Sequence, residues 1–310
     1  MSVGRAVLLH ASRSKWLANQ MMERPFARRA VQKFMPGEEA GDALDAAGRI
    51  AAQGLGAVLT QLGENITSLH EAQAVRDHYL GLLEQIAART QRDTIISVKP
   101  TQLGLDLSLD ACLEHLKTLA TRVRQADAGI LWIDMEDSSY VDRTLDLYRR
   151  LKASHENVGV CLQAYLRRTP ADLDGLMPLK PAIRLVKGAY AEAAHVAFPE
   201  KRDVDIAYYA IADALLAAAS RGNAFPVFGT HDRGLIDRIT TRAAALSVPD
   251  TGFEIHMLYG IRTADQLALA RAGRKVRTLI SYGRSWFPWY MRRLAERPAN
   301  VWFVIRSLLP

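Results

Sequence analysis

The sequence repeats one pattern eight times: a short apolar segment with strand character is followed by a segment with helical periodicity. The predicted strands begin near residues 57, 94, 129, 158, 182, 225, 253 and 275. Strands that are apolar throughout are typical of a parallel sheet buried on both faces. Eight such units in about 250 residues favour a closed barrel over an open doubly wound sheet.

The predicted fold class is therefore α/β, a (β/α)8 barrel of the TIM type. We assign the barrel to residues 54–310 as one structural domain and an N-terminal helical arm to residues 1–53. A dinucleotide-binding sheet is the main alternative. It is disfavoured because Gly54-Leu55-Gly56 lacks a third glycine and leads into an apolar strand instead of a helix.

Composition constrains the cellular compartment in which the protein is expected. The 310 residues contain no run of eighteen apolar residues, which predicts no membrane-spanning helix. The N-terminus shows no clear cleavage site, so we expect no signal peptide. Cys112 and Cys161 give neither a disulfide framework nor a metal-binding spacing, which suits a reducing compartment. These features together predict a cytoplasmic protein.

The net charge of +7 is concentrated at the N-terminus, where residues 1–33 hold seven basic residues and one acid. Apolar side chains such as Trp16 and Phe26 are interleaved with the charges. A basic amphipathic arm of this kind suits peripheral contact with the anionic inner face of the cell membrane. A solvated helix packed on the core explains the pattern equally well. Nucleic acid is not an expected partner, because no binding motif accompanies the charge.

Polar and charged residues follow nearly every predicted strand. In a barrel of this type the active site lies at the C-terminal ends of the strands. Each residue alone has an ordinary explanation, as a solvated charge or a helix cap, but their convergence is not a packing requirement. The most concentrated stretch is 184–192, where two cations border a glycine. The strand-end residues are Glu64, Lys99, Asp134, Gln163, Arg184, Lys187, Thr230, His231 and Leu258.

Three acids, Asp134, Glu136 and Asp137, resemble a metal cluster. Three acids on one turn more often cap a helix or pair with arginines, so we predict no metal.

Near the C-terminus, Arg292 and Arg293 lie beside aromatic residues. They suit either a carboxylate clamp or an exposed basic helix face.

Eight ordered stretches resemble the proline dehydrogenase family, the flavin-dependent enzymes of proline catabolism, in its monofunctional bacterial form. They span about residues 60 to 300. The matching stretches are Leu62-Gly63-Glu64, Ser97-Val98-Lys99-Pro100, Asp134-Met135-Glu136-Asp137-Ser138, Gln163-Ala164-Tyr165-Leu166, Arg184 to Tyr190 with Glu192, Thr230-His231, Phe253 to Arg262, and Tyr282-Gly283 through Trp286-Phe287-Pro288 to Pro298.

The resemblance implies a distorted barrel with FAD over the strand ends and a final helix covering the substrate. It implies catalytic roles for Asp134 and Arg184, and a gate formed by Glu64 and Arg293. The implied cofactor contacts are Met135, Gln163, Arg184, Val186, Lys187, Gly188, Ala189, Thr230 and His231. The implied substrate contacts are Lys99, Tyr190, Leu258, Leu279, Trp289, Arg292, Arg293 and Glu296.

The implied reaction is oxidation of L-proline to 1-pyrroline-5-carboxylate, with hydride transfer to flavin N5 and electrons passing on to a quinone. Two positions depart from the family pattern: Leu279 and Trp289 stand where pocket tyrosines are expected. A dehydrogenase of hydroxyproline or another cyclic amino acid is therefore an alternative. A Schiff-base aldolase using Lys99 or Lys187, and a barrel that only binds, are further alternatives.

Overall fold

The computed structural model describes residues 31–63, 66–89, 93–287 and 289–291. Eight parallel strands close into a barrel in sequence order, which confirms the expected fold. The strands are β1 (Gly56–Gln61), β2 (Thr94–Val98), β3 (Leu131–Ile133), β4 (Val158–Gln163), β5 (Ala182–Val186), β6 (Phe225–Gly229), β7 (Glu254–Leu258) and β8 (Val276–Tyr282).

Helices surround the barrel, and several begin at residues whose side chains cap them. The Ser68 and Asp232 side chains accept the backbone N–H groups of Glu71 and Leu235, at 3.2 and 3.3 Å. The sequence, in which Ser68 stands directly before the helical pattern, predicts this residue as an N-cap, and the structure confirms it. The helices are α1 (Ala40–Ala51), α2 (Leu69–Ala88), α3 (Leu109–Gln125), α4 (Val141–Lys152), α5 (Thr169–Leu176), α6 (Lys201–Ala219), α7 (Arg233–Ala245) and α8 (Thr263–Arg271).

The structure corrects several predicted boundaries. Strand β3 begins at Leu131 instead of Gly129, because Gly129 has a positive φ of 68° and so lies outside the extended conformation of a strand. Helix α5 was not predicted, since its eight residues give too short a periodic pattern. The alanine-rich sequence predicts a helix from Asp42 to Gln53, but helix α1 begins two residues earlier, at Ala40. The Asp42 carboxylate accepts the N–H of the N-cap Glu39.

The barrel lumen has its own apolar cluster, separate from the larger core between strands and helices. Its fully buried members are Val58, Ile95, Trp132, Ala182 and Val227. Because side chains alternate along a strand, these positions fix which residues point inward. A Cβ on Gly159 would lie 2.6 Å from the indole of Trp132. The glycine in β4 therefore makes room for this large side chain in the lumen.

The first described residues pack against the start of the last helical segment. The rings of Phe34 and Tyr290 are 6.3 Å apart, and Trp286 Nε1 donates to Glu38 Oε1 at 3.2 Å. Ser285 immediately precedes the helical residues Trp286 and Phe287. The N- and C-terminal segments thus meet at one place on the barrel. No helix within the described residues is long and apolar enough to cross a membrane.

Candidate functional site

Arg184 lies inside the barrel and is almost fully buried, with 3% of its surface exposed. It forms an ion pair with Asp134, and its Nη2 donates to Ser97 Oγ at 2.9 Å. Ser97 Oγ in turn donates to Asp134 Oδ1 at 2.7 Å. Burial acts to lower the pKa of Arg184, but the charge of Asp134 and the other contacts with Asp134 and Cys161 together outweigh it, and the pKa is raised. The guanidinium is therefore a permanent cation at the strand ends.

Trp132 supports this cation from below. The Arg184 guanidinium carbon lies 5.2 Å from the Trp132 ring centroid, within the range of a cation–π contact. The Trp132 indole also contacts the His256 ring, whose centroid is 5.9 Å away in an edge-on arrangement. Sequence analysis missed both residues. Strand alternation could have found Trp132, because it precedes Asp134 by two and shares its face.

A second buried charge network lies deeper in the lumen. Glu254 Oε2 accepts hydrogen bonds from His256 Nε2 at 3.0 Å and from Arg277 Nε at 2.8 Å. Burial opposes ionisation of Glu254, yet these partners hold its carboxyl pKa well below the usual range. Burial lowers the pKa of His256 to about 4. His256 is thus neutral at pH 7, with its proton on Nε2.

Gln163 ends β4 beside the same site and is buried. Its Nε2 donates to the carbonyl oxygens of Met135 and Glu136, at 3.3 and 3.1 Å. This fixes the orientation of the amide and leaves Oε1 as a buried acceptor. Neither Gln163 Oε1 nor Arg184 Nη1 has a hydrogen-bond partner in the described part of the chain. Buried polar atoms normally have partners, so this pair is suited to a ligand.

The three acids of 134–137 have three different sets of contacts. Asp134 pairs with Arg184, whereas Glu136 accepts both the N–H and the hydroxyl of Thr101, at 3.1 and 2.7 Å. Asp137 accepts the N–H of Ser139 at 3.0 Å and caps a short 3-10 helix. The described residues contain no group of three or more His, Cys, Asp or Glu side chains placed to hold a metal ion.

The segment after β5 is held by side-chain contacts. Lys187 forms ion pairs with Asp205 and Asp232. Gly188 has a φ of 108°, and a Cβ there would lie 2.1 Å from the Tyr165 ring. Glycine is therefore required by its backbone conformation and by Tyr165. Ala189 and Tyr190 follow at the surface of the site and are half-buried, as is Val186 before them.

Strand ends β6 to β8 complete the rim. Thr230 Oγ1 accepts the N–H of Asp232 at 3.1 Å. His231 Nε2 accepts the N–H of Leu258 at 3.4 Å, which places the ring proton on Nδ1 in the neutral form. Leu258 pairs with Leu279 in the β7–β8 register, and both are half-buried. Two apolar side chains therefore meet at the mouth of the lumen.

Lys99 continues the inward face of β2. Its backbone is extended, with φ −99° and ψ 132°, so alternation places it on the same side as Ser97. Trp289, from the last helical segment, is also buried. Glu64, Arg292, Arg293 and Glu296 lie outside the described residues, so the gate and the carboxylate clamp stay predictions.

A closed parallel barrel with charged residues gathered at its C-terminal strand ends defines a barrel of the enzyme type. Comparison with known proteins identifies the family to which this barrel belongs. The proline dehydrogenase family model matches residues 43–306, and the chain belongs to this family. It is 37% identical to proline dehydrogenase 1 of Bacillus subtilis (strain 168) over 98% of this chain and 99% of that protein. It is 34% identical to proline dehydrogenase of Deinococcus radiodurans, over 90% of each.

Solved structures with the same fold belong to larger proteins. Proline utilization A of Bdellovibrio bacteriovorus superposes with a TM-score of 0.78 at 23% identity, over 86% of this chain and 32% of that one. A mutant of the Bradyrhizobium japonicum protein gives a TM-score of 0.73 at 26% identity, over 89% and 31%. The chain thus spans about a third of these structural relatives.

Proposed function

We propose that this protein is a flavin-dependent dehydrogenase that oxidises L-proline to 1-pyrroline-5-carboxylate. The observation that carries the proposal is the buried network of Arg184, Asp134 and Ser97 at the strand ends of a proline dehydrogenase family barrel. A fixed cation buried at this position suits a reaction in which negative charge develops beside it.

FAD is the proposed cofactor, and the residues present fit its ring system. An isoalloxazine carries both carbonyl acceptors and an N–H donor along its edges. Arg184 Nη1 is a buried donor and Gln163 Oε1 a buried acceptor, both without partners in the described part of the chain. FAD, when bound, would supply the hydride acceptor. The other residues proposed to hold it are Met135, Val186, Lys187, Gly188, Ala189, Thr230 and His231.

The proposed work of the protein is to orient the substrate and stabilise charge. Lys99 would bind the carboxylate of proline, together with Arg292 and Arg293. For the C–N bond to become C=N, the amine loses a proton and the adjacent ring carbon loses a hydride. Arg184 stabilises the negative charge that this transfer creates, while Asp134 and Ser97 hold the guanidinium in place.

The electron acceptor is proposed to be a membrane quinone, which would explain the charge of the terminal segments. Residues 1–30 contain six basic residues and one acid, and residues 292–310 contain four basic residues and one acid. Phe34 and Tyr290, which are described and lie close in sequence to these two segments, pack together with ring centroids 6.3 Å apart. Basic character at both ends of the sequence supports peripheral binding to anionic lipid. Flotation with anionic and neutral vesicles tests this; equal binding to both would contradict it.

A dehydrogenase of a substituted proline is the second candidate, and Leu279 favours it. The side chain is half-buried in the lumen opposite Leu258, so the wall here is apolar and short. The aldolase alternative is less well supported for Lys187. Its ammonium group forms ion pairs with Asp205 and Asp232, which makes it a poor nucleophile.

N-propargylglycine offers a test, because it inactivates the related proline utilization A of Bdellovibrio bacteriovorus. The purified protein should contain FAD, identified by chromatography after heat release. N-propargylglycine should inactivate it over time, and L-proline should slow the inactivation by competing for the site. A protein that neither contains nor takes up flavin, and that the inhibitor leaves unaffected, would contradict the proposal.

A further inference from the structure

Glu136 is a buried acid of 134–137 for which the proposed reaction has no use. Only 5% of its surface is exposed, and both oxygens of its carboxylate accept hydrogen bonds from Thr101. Oε1 accepts the Thr101 N–H at 3.1 Å, and Oε2 accepts the Thr101 hydroxyl at 2.7 Å. Burying a carboxylate is costly unless its hydrogen bonds are made. This one accepts two hydrogen bonds from a residue of the neighbouring β2–α3 segment.

The position of this contact links three proposed site residues. Thr101 lies two residues after Lys99, and Glu136 lies two residues after Asp134. The contact therefore ties the end of β2 to the end of β3. Gln163 at the end of β4 donates to the carbonyl oxygen of Glu136 at 3.1 Å. The groups proposed to meet substrate and cofactor are thus joined through one carboxylate and its backbone.

The backbone ladder at this junction is short. Strand β3 has only three residues, and its register with β2 consists of two pairs, Ser97 with Trp132 and Val98 with Ile133. One further backbone hydrogen bond, from the Asp134 N–H to the Val98 carbonyl oxygen at 2.9 Å, extends the contact to the end of β3. By comparison, β1 and β8 share six pairs. The contact between Thr101 and Glu136 therefore adds a side-chain connection beyond a short backbone ladder.

We propose that Glu136 and Thr101 are positioning residues that set the spacing between Lys99 and the Asp134–Arg184 pair. The proposal rests on the proposed function, in which Lys99 holds the substrate carboxylate while the ring reacts above Arg184. A misplacement of about 1 Å between such groups can cost roughly a hundredfold in rate. Loosening the contact should therefore impair proline oxidation without impairing flavin binding.

Substitution of Thr101 separates this role from general damage. Thr101→Val removes the hydroxyl at nearly constant volume, whereas Thr101→Ser keeps it. We expect Thr101→Val to lower kcat/KM for L-proline by about tenfold or more. The FAD content and the flavin reduction potential should match those of the wild type. Thr101→Ser should recover kcat/KM to within about twofold, since the hydroxyl bond is restored.

Substitution of Glu136 tests whether its charge is needed. In Glu136→Gln the amide oxygen can accept the Thr101 N–H, and the amide nitrogen can donate to the hydroxyl oxygen. We expect this variant to stay close to wild type and Glu136→Met to lose about as much as Thr101→Val. Loss of activity in a folded Glu136→Gln would assign Glu136 to acid–base or metal chemistry and overturn the positioning role.

Tyr140→Phe is the matched control. Tyr140 donates its hydroxyl to Asp106 at 2.9 Å and joins the same two connecting segments at their exposed side. Its kcat/KM should not change. Equal losses in Thr101→Val and Tyr140→Phe, or no loss in Thr101→Val, would refute the proposal. If the wild type does not oxidise proline, the proposed function fails. Hydrogen exchange of the peptide containing Lys99 then still tests the positioning contact. If exchange in Thr101→Val is no faster than in the wild type, the positioning role of the contact is refuted.

Discussion

The ion pair between Arg184 and Asp134 should be strongly coupled in stability as well as in function. Its side chains are 4% and 20% exposed, respectively. Removing one partner of a buried pair costs about 3–5 kcal/mol. Water reaches Asp134 in part, so we expect Arg184→Met to cost about 3 kcal/mol from the lost pair, with about 1 kcal/mol more from the Trp132 contact.

A double-mutant cycle measures the coupling directly. Asp134→Asn alone leaves the Arg184 cation buried opposite a neutral amide. In the double variant neither charge remains, so its cost should be smaller than the sum of the single costs by about 2 kcal/mol. Urea unfolding followed by circular dichroism gives each free energy. It should be run without FAD and with saturating FAD, because ligand binding adds its own stabilisation. Additivity within about 0.5 kcal/mol would refute the coupling.

Three further outcomes are expected. Because burial lowers the pKa of His256 to about 4, the unfolded chain binds a proton at His256 that the folded chain does not between about pH 6.5 and 4. Stability should therefore fall as pH falls through this window, and His256→Gln should flatten the dependence; an unchanged pH profile of unfolding would contradict this. Leu279→Tyr should raise the preference for proline over hydroxyproline, by about 1–3 kcal/mol in the ratio of kcat/KM values; an unchanged ratio would remove Leu279 from the pocket wall. Arg293→Met should raise KM about ten- to hundredfold with FAD still bound; unchanged kinetics would return the residue to an exposed helix face.

The barrel could be predicted because its signal is local. Apolar runs such as 182–186 and 225–229 match β5 and β6 at both ends. They are bounded by turn residues and followed by amphipathic helices, so neither long-range contact nor register was needed. The location of the site could also be predicted from local sequence, since the C-terminal strand ends of a barrel converge on one face.

The side-chain contacts within the site could not be predicted, because they depend on the register between strands. Asp134 was expected either to cap a helix or to pair with an arginine, and it pairs with Arg184 fifty residues away in sequence. The contact of Glu136 with Thr101 had no signal in either segment. The stack of Arg184 on Trp132 requires Gly159, on a third strand, to leave space. Such three-strand arrangements cannot be deduced from periodicity.

Anaerobic reduction of the bound flavin by substrate tests the central claim most directly. The purified protein, freed of oxygen, should lose the visible absorbance of its oxidised flavin on addition of L-proline. D-proline at the same concentration should leave the spectrum unchanged, because the proposed carboxylate contact of Lys99 and a single accessible flavin face would together accept one hand of the substrate. The imine product should appear in equal amount to the flavin reduced. Flavin that stays oxidised with L-proline, in a protein that binds FAD stoichiometrically, would contradict the assignment.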